Sequence, residues 1–370
     1  MNFKIVAYIE TIALIAVIAG FIVYSTYSTS QPTIVSGTGA TFPTPLIQKW
    51  SQEFKDMTGV QITYEGIGSG GGVQQFTQKT VDFGDSDPPM QASEFAAAPG
   101  TLHIPITIGG VAAVYNIPGI SAKLNFTGEV LADIFRLNIT KWNDARLTAL
   151  NPGTTLPDAN IVVCHRSDSS GTTKVFTSFL SDENAAWKSI YGASNLISWD
   201  PQTIGGKGNS GVATAVQQNT NSVGYVELVY ALQSNITFGK VQNEAGQFVE
   251  PSLETLASAA SAVSLNLPSG NQSWASVGSY FNLHNVADPN GAYPITSFSY
   301  VLIYQELNVR AGMTMTKAKA LTWFLWWAIH DGQHFAPGLS YVPLPGAVVS
   351  IDEATLRMIT FNGQQVNNWT

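Results

Sequence analysis

The sequence predicts an α/β protein of two lobes, and three observations carry that prediction. The chain has 370 residues, 45% of them hydrophobic, enough for two cores of ordinary domain size. Strand-like and helix-like runs alternate from residue 33 onward, the pattern of an α/β architecture with mostly parallel sheets. No repeat of about 20–50 residues is present, which sets solenoids and propellers aside.

Taken in order, residues 33–36 read as a strand. Residues 43–57 read as a helix, because Leu46, Trp50 and Phe54 recur every four positions. Residues 60–64 alternate as a strand, 72–79 open a second helix, and 81–84 form a short strand. Residues 102–115 are a buried extended run and 129–135 a helix. Residues 161–164 are a buried strand leading into a helix over 172–180. Residues 222–226 and 297–304 are strands, and 323–329 an aromatic helix whose Trp323, Phe324, Trp326 and Trp327 belong in the core.

The charge balance excludes one class of partner. With 17 Lys+Arg against 25 Asp+Glu the net charge is −8, and a nucleic acid needs a basic face. A small anion is not excluded, because a buried pocket is governed by a few oriented dipoles at short range. The single cysteine, Cys164, permits no intrachain disulfide and reads as a buried structural thiol.

Residues 5–24 are apolar apart from Glu10 and Thr11, with Lys4 ahead of them. About 20 such residues span a hydrocarbon core. A cleaved signal would have a shorter apolar run and a small-residue cleavage site, and no Ala-x-Ala is present. Residues 1–24 therefore read as a transmembrane anchor in preference to a signal segment, and residues 25–32 as a Ser/Thr-rich linker. Either reading puts the body of the chain outside the cytoplasm.

Three segments repeat one design: a strand, a loop of small or hydroxyl residues, then a helix start. They are residues 35–43 (VSGTGATFP), 64–73 (YEGIGSGGGV) and 165–173 (HRSDSSGTT). A helix N-terminus presents unpaired N–H groups and a partial positive charge, so it binds anions. Pro43 suits a first helical position. Each loop alone is an ordinary cap; three together, one carrying Arg166, point to a convergent anion site. A fourth segment, 81–89 (VDFGDSDPP), puts carboxylates at a strand end. A buried carboxylate accepts the proton of hydrogen phosphate and repels an oxyanion that has none.

This combination resembles the phosphate-binding proteins of high-affinity phosphate ABC importers, over roughly residues 34–350. Further matching stretches are 108–111 (IGGV), 116–119 (NIPG), Lys141-Trp142, 205–209 (GGKGN), 224–227 (GYVE) and 294–297 (PITS). The resemblance implies a periplasmic-binding-protein-like fold with a hinge, one lobe at 33–109 plus 293–370 and the other at 110–292. It implies phosphate as ligand, an ABC permease as partner, no cofactor and no catalysis. By position it makes Thr41, Phe42, Ser69, Asp87, Arg166, Ser170, Gly171 and Thr172 the phosphate ligands, with Asp168 orienting Arg166.

The chain departs from that pattern at Asp85, where a small residue is expected, and at Gly70, where a serine is expected. Asp85 reads as a turn residue pointing away from the site, with a bias of the site toward singly charged phosphate as the alternative, and the hydroxyl missing at Gly70 reads as a small loss. Competing readings are a receptor for sulfate or molybdate, a phosphatase using Ser170 with His165, and a non-transporting surface protein on the same fold. The glycines at 66, 68 and 71 also match a dinucleotide fingerprint, which the other three loops make redundant. His330 and His334 have the spacing of a metal pair but lack the accompanying glutamate.

Overall fold

The computed structural model describes residues 32–263, 267–281, 283 and 289–367. The anchor expected at residues 5–24 lies outside these. No helix among the described residues is long and apolar enough to cross a membrane.

The chain opens with strand β1 (Ile34–Gly39), helix α1 (Thr44–Thr58) and strand β2 (Gln61–Gly66). Helix α1 buries Leu46, Ile47, Trp50 and Phe54, a stripe at helical period. It stops at Gly59, whose φ of 75° lets its N–H bond to Lys55 O as a left-handed C-cap. Pro43 precedes the first helical residue and Pro45 sits inside the first turn, so the proline signal is displaced by two positions. Helix α2 (Ser69–Thr77) and strand β3 (Phe83–Ser86) follow. Helix α2 begins three residues earlier than its periodicity suggests, because its first turn is glycine-rich and carries no apolar pattern.

The long strand β4 (Thr101–Asn116) is buried over its whole length except the last residue. Beyond it come β5 (Val162–Arg166), α3 (Gly171–Glu183), β6 (Ile204–Gly206), α4 (Gly208–Gln218) and β7 (Ser222–Glu227). The chain then returns through β8 (Thr296–Tyr304) and ends with α5 (Met315–Ile329) and α6 (Gly346–Leu356).

The main sheet has the order β2-β1-β3-β8-β4-β7-β5-β6, with Thr237–Phe238 pairing beside β4. The pairs β1–β2, β1–β3, β5–β7 and β5–β6 are parallel. The pairs β3–β8, β8–β4 and β4–β7 are antiparallel, so the sheet is more mixed than strand–helix alternation implies. The cause is β4 and β8, which cross the molecule between the two parallel blocks. Residues 101–110 of β4 pair with β8, and residues 111–116 pair with β7. One strand thus belongs to both lobes of a two-lobed α/β fold, and changes partner at Gly110/Val111.

Large side chains fill the core, among them Trp50, Phe54, Trp142 and Trp187, all essentially inaccessible. Each such burial contributes on the order of 2–3 kcal/mol. Phe324 and Trp327 of α5 are core residues as expected, but Trp323 is 44% exposed and touches the core only edge-on, against Phe54. The aromatic run is longer than the buried face of a helix is wide. Cys164 is buried, and burial pushes its thiol up to about 12.

Candidate functional site

The loops that follow β1, β2, β3 and β5 meet in one place. Each ends a strand whose buried residues fix its direction, and the first, second and fourth run straight into a helix start. A further loop of the same kind joins β6 to α4, ending in Lys207 and Gly208.

Arg166 is the last residue of β5 and is 1% exposed. A guanidinium cannot shed its charge, so burial obliges it to pair. Its Nε donates to Asp168 Oδ1 at 2.8 Å and its Nη2 to Asp168 Oδ2 at 2.5 Å. That two-point clasp leaves Nη1, which lies 3.4 Å from Thr172 Oγ1. Burial pushes the Asp168 carboxyl up, but the Arg166 bonds and charge, with the N–H of Gly208 at 3.0 Å, outweigh it and hold it below the usual carboxylate range. Asp168 is therefore an ionised clamp that fixes the guanidinium plane, as expected of an orienting residue.

Opposite lies Asp87, directly after β3 and 1% exposed. Its backbone N–H donates to Ser69 Oγ at 3.2 Å, and Ser69 Oγ is 3.4 Å from Asp87 Oδ2. Ser69 is the first residue of α2 and wholly buried. Burial pushes the Asp87 carboxyl up to about 7, against the lowering effects of Ser299, Arg166 and Ser69. Gly171, first residue of α3, comes so close that a Cβ there would stand 2.3 Å from Ser69 Oγ and 2.4 Å from Asp87 Oδ2. Only glycine fits at that start.

Ser170 caps α3, its Oγ accepting from Thr173 N at 3.1 Å, which uses a lone pair and not the hydroxyl proton. Thr41 Oγ1 accepts from Asn209 Nδ2 at 2.8 Å and from Asn209 N at 3.2 Å. Phe42 is fully buried and its carbonyl accepts from Tyr341 at 2.6 Å. Tyr230 holds the carbonyl of Thr41 at 2.6 Å. All nine residues singled out from sequence fall in this one cluster.

Two residues join it that sequence reasoning left out. Asn209 bridges Thr41 Oγ1 and Thr172 Oγ1, the latter at 3.2 Å, while its Oδ1 accepts from Glu227 N at 2.9 Å. It sits at a helix start of the same strand–loop–helix design as the other three, which is the signal that would have found it. Ser299, in the middle of β8, lies at hydrogen-bond distance from both Asp85 and Asp87; nothing local in the sequence distinguishes it.

Asp85 is not a turn residue pointing away. It lies on β3, is completely buried, and its Oδ1 lies 3.1 Å from Ser299 Oγ. The reason is the two-residue period of extended backbone, which puts positions 85 and 87 on one face. Gly70 also has a structural reason. A Cβ there would meet Ser169 Oγ at 2.1 Å, and Gly70 N already donates to Ser169 O at 3.2 Å. The space of the expected serine is occupied by a serine from the facing loop.

His165 does not serve Ser170. Its ring stacks on Trp199 at 4.6 Å and its Nδ1 is engaged with Arg166 O at 2.9 Å. A phosphatase would need a positioned base at the hydroxyl. His330 pairs with Glu353 at 2.9 Å, an ion-pair arrangement away from the cluster.

The family described as a PBP superfamily domain matches residues 26–331. The "Phosphate-binding protein PstS" of Xylella fastidiosa (strain Temecula1) is 43% identical over 321 residues, which are 86% of this chain and 84% of that one. The protein of the same name from Pasteurella multocida is 42% identical over 331 residues, 89% of this chain and 91% of that one. A solved phosphate-binding protein from Stenotrophomonas maltophilia superposes with a TM-score of 0.64 at 19% identity, covering 88% of this chain and 94% of that one. At such identity the last likeness speaks for the fold.

Proposed function

Because the chain belongs to the PBP superfamily, and within it to the phosphate-binding proteins named PstS, we propose that it is the extracytoplasmic phosphate receptor of an ABC importer. It is a binding protein and not an enzyme. The observation that carries the reading is the buried opposition of Arg166 and Asp87, flanked by Ser69, Thr172 and the start of α3.

A tetrahedral oxyanion needs charge-assisted donors on most of its oxygens. Arg166 and the hydroxyls of Thr41, Ser69, Ser170 and Thr172 supply them, with N–H groups of Phe42 and Gly171 at helix starts. Asp87 is the selective element. Hydrogen phosphate offers it a proton to accept, whereas sulfate would set a lone pair against a carboxylate. This favours phosphate over the sulfate or molybdate alternative.

The lobes divide, on this reading, at 33–109 plus 293–370 against 110–292, which the change of partner along β4 supports. Ligand draws Thr41 of one lobe and Arg166 of the other onto the same anion, and the closed form docks on a membrane permease. Residues 5–24 tether the receptor to the membrane, supported by their apolar length.

Isothermal titration of the chain with phosphate and with sulfate tests the assignment. Tight phosphate binding with weak sulfate binding is expected; equal affinity for the two would remove the role given to Asp87.

A further inference from the structure

Ser299 Oγ lies 3.1 Å from Asp85 Oδ1 and 3.0 Å from Asp87 Oδ1. All three side chains are buried, Asp85 and Ser299 completely. A serine hydroxyl has one proton to donate. It satisfies one carboxylate with that proton, so the other contact at hydrogen-bond distance needs a proton from the second carboxyl. Two facing lone pairs between buried groups would repel. The Asp85–Ser299–Asp87 unit therefore holds a proton beyond that of the serine.

The surroundings of the two acids differ. The Arg166 guanidinium acts on Asp87 and favours its charged form. Asp85 has Asp87 as its charged neighbour, and Tyr64 from β2 faces it, the tyrosine hydroxyl donating to Ala40 O at 2.7 Å. The packed elements β1 and α2 carry no ionisable side chain, and β8 carries only the tyrosines Tyr300 and Tyr304. The end of β7 adds Glu227, a fully buried carboxyl that also feels Asp87 and is pushed well above its ordinary range, chiefly by burial.

Building on the receptor reading above, we propose that Asp85 carries this proton and donates it through Ser299. Once Asp87 is itself ionised, this keeps it a pure acceptor, and loss of the Asp85 proton sets the upper pH limit for phosphate capture. Asp85 is thus a positioning residue that does not touch the ligand. The relay runs from the Asp85 carboxyl proton to Ser299 Oγ, and from the Ser299 proton to Asp87 Oδ1. It leaves Asp87 Oδ2, the oxygen beside Ser69 and Gly171, for the proton of the ligand. Burial favours the neutral form of Asp85, and the charge of Asp87 adds to this. When alkaline pH removes the proton, a second negative charge stands behind Asp87 and anion binding weakens.

The test is isothermal titration of the full-length chain with phosphate from about pH 6 to about pH 10, for the wild type and Asp85→Asn. An asparagine donates to Ser299 and does not titrate. The ratio of wild-type to D85N dissociation constants is expected to climb with pH, approaching about tenfold per unit. Asp85→Ala, which deletes the carboxyl and adds no polar group, gives the same flattening and serves if the asparagine variant fails to fold. Profiles for wild type and variants that stay parallel over the whole range overturn the relay while leaving the receptor reading intact. A wild-type chain that binds no phosphate at any pH overturns the receptor reading itself, and the relay with it.

Discussion

Asn209 donates from Nδ2 to Thr41 Oγ1 at 2.8 Å, joining two residues 168 positions apart in the chain. The same amide reaches Thr172 Oγ1, and its carbonyl oxygen takes the N–H of Glu227. One buried side chain thereby ties two of the helix-start loops to the end of β7.

Asn209→Ala should weaken phosphate binding without unfolding the protein. It removes a bond made when the lobes meet and leaves Glu227 N without its partner, a cost of about 1–3 kcal/mol. Calorimetry should show a loss of about tenfold or more. An unchanged affinity would mean the Thr41 bond contributes nothing to closure.

Arg166→Ala should cost about 2–5 kcal/mol of binding, because it strips the charged donor and leaves the half-buried Asp168 without its counter-charge. Arg166→Lys should recover little of this. A lysine ammonium cannot make the two-point clasp on both Asp168 oxygens and still present a donor toward the site. Near-normal binding by the lysine variant would show that charge alone, and not the fork, is what matters.

Gly70→Ser should impair binding, since its Cβ would collide with Ser169 in the facing loop. The double change Gly70→Ser with Ser169→Gly should restore most of the loss, because the side chain is moved across the cleft and not added. The two losses are therefore strongly non-additive. Additive losses in a double-mutant cycle would refute the exchange.

The Asp87 carboxyl makes a prediction about stability. Its ordinary value of 3.8 is raised to about 7 in the folded chain, chiefly by burial. Between about pH 4 and about pH 7 the folded state keeps a proton that the unfolded state has released. Its contribution is fully present below about pH 4, is lost as pH rises to about 7, and is level beyond. Asp87→Asn does not titrate, so the ligand-free variant should melt above the wild type at about pH 8 and near it at about pH 4. The difference is on the order of 4 kcal/mol at most. The same change should relax the exclusion of sulfate more than it harms phosphate, which paired titrations would read directly.

Much of this architecture is written locally in the chain. The stripe of Leu46, Trp50 and Phe54 specifies α1, and alternating or continuous apolar runs specify the strands, because side-chain direction repeats with a fixed period in each kind of backbone. The strand–loop–helix starts at Thr41, Ser69 and Ser170–Thr172 are legible as loops of small and hydroxyl residues, while the roles of Arg166 and its neighbour Asp168 follow from the resemblance to phosphate-binding proteins. Tertiary structure alone decided what faces what. Asp85 meets Ser299 from 214 positions away, and Ser169 fills the space over Gly70. Asn209 crosses to Thr41, and β4 changes partners halfway along. Contacts of this kind depend on how whole sheets stack and how two lobes meet. The energy of a site that excludes water depends on every group facing it, and periodicity along one segment carries no information about the segment opposite.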